Sequence, residues 1–83
     1  ALSYAERKEQ QKKISKAEKA VAASEKKISE MEDRLKQLDQ LLMDPAQASN
    51  MELVTEYTNI KAVLDEEVER WEQLSEAYDA LTK

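Results

Sequence analysis

Apolar residues recur along the first half of the chain at alternating spacings of three and four. They are Ile14, Ala17, Val21, Ile28, Met31, Leu35, Leu38 and Leu42, with the polar Ser24 in the one remaining place. This is a 3.5-residue repeat, the pattern of a helix that lays one narrow seam against a partner helix. The second half answers with Leu53, Tyr57, Ile60, Leu64, Glu67, Trp71, Leu74, Tyr78 and Leu81. Its seam is interrupted at Glu67, where Val68 is placed to swing in. Between the two lies Met43-Asp44-Pro45-Ala46-Gln47-Ala48-Ser49-Asn50. Pro45 cannot occupy a helix interior, and it biases Asp44 away from helical angles. Ser49 with Glu52, like Ser3 with Glu6, has the spacing of a capping box. The pattern therefore predicts helix one over about residues 4–43, a turn over about 44–49 and helix two over about 50–82.

Two helices joined by a short loop run antiparallel, so facing residues have a constant sum of numbers. A sum of 95 pairs Leu42 with Leu53, Leu38 with Tyr57, Leu35 with Ile60, Met31 with Leu64 and Ile28 with Glu67. It goes on to pair Ser24 with Trp71, Val21 with Leu74, Ala17 with Tyr78 and Ile14 with Leu81. The small Ser24 and Ala17 then face the bulky Trp71 and Tyr78, which lets a thin core pack closely. On the flanks, Glu32 faces Lys61 in an attractive pair, and Lys27 meets Arg70 in a repulsive one. The repulsion would be relieved by a phosphate, or equally by Glu30 or Glu67. Val54, Val63 and Leu41 flank the seam, where they either widen the core or mark a docking stripe. Residues 1–13 lie beyond the reach of helix two, so that segment is an overhang or folds back. The fold class predicted is all-α, an antiparallel two-helix coiled-coil hairpin in one unit, residues 1–83. Isolated two-helix hairpins are marginal, so such a unit is an excised piece or a homodimer in isolation.

Composition narrows the function. The chain has no Gly, Cys, His or Phe and one Pro. Without Cys or His there is no thiolate nucleophile, imidazole base, zinc site or disulfide framework. Without Gly there is no glycine-rich phosphate loop. The sequence thus predicts no enzyme, no metal and no cofactor. The longest apolar run, Ala20–Ala23, is four residues. That predicts neither a signal peptide nor a membrane span, and so a cytoplasmic location. A membrane-surface role is also unfavourable, because the hairpin uses up the apolar face and helix two is acidic.

Charge is uneven along the chain. The net charge is −5, yet residues 1–27 carry eight Lys or Arg against four Glu, a balance of +4. Residues 44–83 carry three basic and ten acidic side chains, a balance of −7. Lys12, Lys19 and Lys26 share the heptad position opposite the seam, with Lys16 beside them, and Arg7 and Lys8 extend the stripe. Such a stripe can track phosphates of DNA or RNA. It is also what the solvated face of a coiled coil commonly looks like, and pattern alone favours that plainer reading. An overall acidic protein must also overcome long-range repulsion to approach a polyanion. Glu18, Glu25, Glu32 and Asp39 repeat every seven residues beside the seam, without a histidine or a pocket, and read as solubility and partner orientation. Tyr57, Trp71 and Tyr78 fall on the seam and read as core; Tyr4 is the one aromatic off it.

The order of these motifs resembles a known family. Leu2-Ser3-Tyr4-Ala5-Glu6-Arg7-Lys8-Glu9, then a long heptad helix, Asp44-Pro45 at the turn and Glu69-Arg70-Trp71-Glu72 before Leu74 are similar to the C-terminal coiled-coil domain of ABC-F ATPases of the Uup type. The likeness covers essentially the whole chain. It implies a fragment whose two ATP-binding cassettes lie N-terminal to residue 1, where ATP and Mg would bind, so this piece has no cofactor of its own and should not hydrolyse ATP. It also implies nucleic acid, DNA or ribosomal RNA, as a partner, together with the protein's own cassettes. By the same resemblance Arg7, Lys8, Lys12, Lys16, Lys19 and Lys26 would meet phosphates. The alternative is a protein-interaction or dimerisation spacer with no nucleic-acid role.

Overall fold

Ser3 starts the first helix. Its backbone is extended, its Oγ accepts from the Glu6 N–H at 3.2 Å, and its carbonyl accepts from the Arg7 N–H at 3.0 Å. The Glu6 carboxylate accepts from the Ser3 hydroxyl at 3.2 Å and not from the Ser3 N–H, so only the serine half of the expected capping box forms. In the computed structural model, which describes residues 3–83, helix α1 runs Tyr4–Met43 and helix α2 runs Met51–Thr82. Leu2 of the Leu-Ser-Tyr motif lies outside the described residues.

Helix α1 ends where Pro45 requires. Asp44 is extended (φ −71°, ψ 122°), and its N–H turns back to the Leu41 carbonyl at 3.2 Å. The linker is tied by its own bonds. Asp44 Oδ1 accepts from the Ala46 N–H at 3.0 Å, and the Asp44 carbonyl accepts from Gln47 at 2.8 Å. The Gln47 carbonyl accepts from Asn50 at 2.9 Å. No described residue has positive φ, so this turn needs no glycine.

The start of α2 differs from the sequence expectation by one residue. The cap is Asn50, whose Oδ1 accepts from the Glu52 N–H at 3.0 Å, and not Ser49. Asn50 is held outside the helix by its N–H bond to Gln47 and by Asn50 Nδ2 donating to Gln47 Oε1 at 2.9 Å. Once Asn50 caps, Glu52 is the second helical residue and can no longer reach back as a capping-box partner.

The helices pack antiparallel along their length, forming a rod of 66 × 16 × 15 Å. All eighteen seam positions are buried or half-buried. Leu38 and Ser24 are the fully buried pair. Val68 is half-buried beside Glu67, and Val54 joins the core edge. Leu41 and Val63 stay in solvent, 42% and 52% exposed, so those two do not widen the core. Trp71 Nε1 donates to Glu25 at 3.2 Å, which sets the indole at the level of Ser24 as the 95-sum register predicts. Glu67 departs from that pairing. Its carboxylate reaches one turn past Ile28 and accepts the Ser24 hydroxyl at 2.6 Å, because hydrocarbon offers no donor.

The overhang is shorter than expected. Gln10 Nε2 donates to the Leu81 carbonyl at 3.3 Å, so α2 engages α1 four residues before Ile14. Helix α1 does not fold back; Tyr4–Glu9 continue it past the last turn of α2.

Candidate nucleic-acid interface

The forty residues of α1 form one uninterrupted helix, so its outward residues lie on one continuous face. Lys12, Lys19 and Lys26 repeat along that face over roughly 21 Å. Arg7, Lys8, Lys12, Lys16, Lys19 and Lys26 are all exposed. Among the described residues one ion pair forms, Arg34 with Glu56 at 2.7 Å, and it involves none of the six. Their charges are therefore available to an external anion. Arg7 and Lys8 also rim an open groove of about 390 Å³ with Tyr4 and Gln11, at the end of α1 where α2 stops.

The acidic excess sits on the other side. Asp65, Glu66, Glu69, Glu72, Glu76 and Asp79 are exposed on α2. Their positions in the repeat face away from the seam, as the five α1 lysines of the stripe do on their own helix. The rod is 15–16 Å thick. The screening length at physiological salt is about 8 Å. A phosphate on the cationic face therefore feels the nearby lysines more than the acids across the rod.

The flanking pairs differ from expectation. Glu32 and Lys61 form no ion pair. Arg34 takes that role on the other flank of the seam, with Nη2 2.7 and 2.8 Å and Nε 3.1 Å from the Glu56 carboxylate. These hydrogen bonds, with the attraction of the charge, hold the Arg34 pKa above its ordinary value against a smaller desolvation effect. Any stabilisation from this guanidinium requires the Glu56 carboxylate to be ionised, and on the alkaline side it is lost only in strong alkali. The heptad repeat marks Arg34 and Glu56 as flanking positions, but a rigid sum of 95 does not join them; the long arginine reaches across registers.

Lys27 and Arg70 do share one site. With Ala20, Ala23, Ser24, Glu67 and Leu74 they line a cavity of about 120 Å³, so the Glu67 carboxylate lies at the same site, though it forms no ion pair with either cation. Tyr57, Trp71 and Tyr78 are half-buried on the seam, as core residues are. Of the acidic repeat, Glu25 holds the Trp71 indole, and all four members are exposed. Among the described residues no group of three acidic side chains gathers as a metal site. No helix among them is long and apolar enough to cross a membrane.

The arrangement can bind anions along one face of α1 and present Tyr4 beside two cations. Sequence reasoning singled out the six cations and the free Tyr4. It missed Gln11, whose only signal was its place one helical face from Tyr4 and Lys8. Comparison with protein-family models, curated proteins and solved structures gives no match.

Proposed function

We propose that this hairpin is a non-catalytic nucleic-acid-binding arm, the C-terminal coiled coil of a soluble ABC-F ATPase of the Uup type. The observation that carries the binding role is the row of five exposed, unpaired lysines, Lys8, Lys12, Lys16, Lys19 and Lys26, on the outer face of α1, with the exposed, unpaired Arg7 on the seam line past the end of α2. The family assignment rests on the order of the Leu-Ser-Tyr, Asp-Pro and Glu-Arg-Trp-Glu motifs. In this reading the rod positions its cationic face on DNA or ribosomal RNA, and the cassettes supply ATP-driven movement from elsewhere in the protein.

Fluorescence anisotropy of labelled duplex DNA and structured RNA over a salt series tests it. Binding should weaken steeply with salt, by about 0.9 in log K per log salt for each phosphate contacted. Reversing Lys12, Lys16 and Lys19 to Glu should weaken binding about equally for all sequences and flatten that slope. Unchanged binding by the triple variant would sink the surface assignment.

A second reading is a protein-interaction spacer. It draws on the exposed Leu41, Met51 and Val63 in the half of the hairpin nearer the turn. Dimers in light scattering, with the lysine stripe dispensable, would select it.

A further inference from the structure

The end of α1 that projects past α2 carries a different chemistry from the lysine stripe. Tyr4 is 76% exposed. It shares one helix face with Arg7, Lys8 and Gln11, three, four and seven residues on, and the four line the 390 Å³ groove. Glu6 and Glu9 lie about 140–200° round the helix from Tyr4 at 100° per residue, so no carboxylate rims the groove. None of the four makes a side-chain bond to α2, and Lys8 leads directly into Lys12 of the stripe.

We propose that this groove is a subsite for one unpaired nucleotide, which makes the arm prefer single-stranded ends or loops to blunt duplex. The inference rests on the nucleic-acid reading and deepens it. An exposed tyrosine ring offers a stacking face to any base, and stacking is possible only where the base is free of its own duplex. Arg7 and Lys8 stand one helical turn from the ring and can take the adjoining phosphate. Gln11 carries both a donor and an acceptor for a base edge. Lysines alone bind duplex and single strand without needing an aromatic, so Tyr4 is the element that discriminates.

The test uses the 83-residue chain with three labelled probes: a blunt DNA duplex, the same duplex with a short 3′ DNA overhang, and the same with an RNA overhang. 2-Aminopurine at the first unpaired position reports stacking by quenching. The wild-type chain should bind an overhang about tenfold more tightly than the blunt duplex and quench the probe. Tyr4→Ala should remove both effects while leaving blunt-duplex binding within about twofold, and Tyr4→Phe should keep them. DNA against RNA overhang then names the preferred strand. Salt-dependent binding to blunt duplex with no overhang preference, or a preference that survives Tyr4→Ala, overturns the subsite and leaves the stripe standing. No binding to any probe overturns both.

Discussion

Leu38 and Ser24 are the two residues most fully withdrawn from solvent, at 0% and 3% exposure, and their layers fill the seam in opposite ways. Around Leu38 the seam is continuous hydrocarbon: Met31, Leu35 and Leu42 on α1, with Leu53, Tyr57, Ile60 and Leu64 on α2. Around Ser24 a small polar residue takes the seam place next to Glu25, which holds the Trp71 indole, and a carboxylate in the seam accepts the Ser24 hydroxyl at 2.6 Å. The charges divide the same way. Residues 28–66, which make the turn half, carry three basic and nine acidic side chains. Residues 1–27 with 67–83, the open half, carry ten basic and nine acidic ones. The turn half holds the helices together by apolar burial. The open half trades part of that burial for a specific polar contact and presents the cations. A buried polar pair commonly contributes less stability than hydrocarbon, but it penalises registers that leave either partner unsatisfied.

The largest expected effect lies in the turn half. Leu38→Ala should cost about 2–5 kcal/mol, read as a lower urea midpoint. A loss under about 1 kcal/mol would mean that the seam collapses around the gap and that the contrast between the halves is false. Next comes Ser24→Leu, which overpacks against Trp71 and strips Glu67 of its donor, at about 1–3 kcal/mol. A Ser24→Leu protein as stable as the parent would show that the 95-sum register is wrong. The double change Ser24→Ala with Glu67→Leu tests the polar layer more sharply. It makes the open half resemble the turn half, so stability should hold or rise. Uniqueness should fall, seen as broadened amide resonances or extra oligomers; a sharp monomeric spectrum would deny the pair any role in register. The smallest change is Glu25→Ala. It removes only the exposed bond that Glu25 accepts from the Trp71 indole and should stay within about 0.5 kcal/mol, or a few degrees in Tm.

Particular residues show how far the sequence could be read. Both helices and the Pro45 turn follow from local rules, since a 3.5-residue apolar repeat and a missing N–H act within a few residues. The cap of α2 was misplaced because Ser49 and Asn50 are both good caps, and the choice rests on how Gln47 closes the turn. The Arg34–Glu56 pair was invisible to a rigid register because long side chains lean along the helix and reach past their nominal partners. The six cations were legible as a stripe; that no carboxylate claims them emerged only from the packed rod. The groove at Tyr4 needed the structure too, because its exposure depends on where α2 stops against α1.

The order and length of the two helices, their antiparallel run and the face each turns inward are therefore properties of this sequence on its own. They depend on backbone periodicity and on one proline, which read the same in any context. Tertiary packing alone decided what the seam carboxylate bonds, which cation is neutralised and which remain free. Those outcomes depend on side-chain reach between residues far apart in the chain, and linear spacing carries no record of that reach.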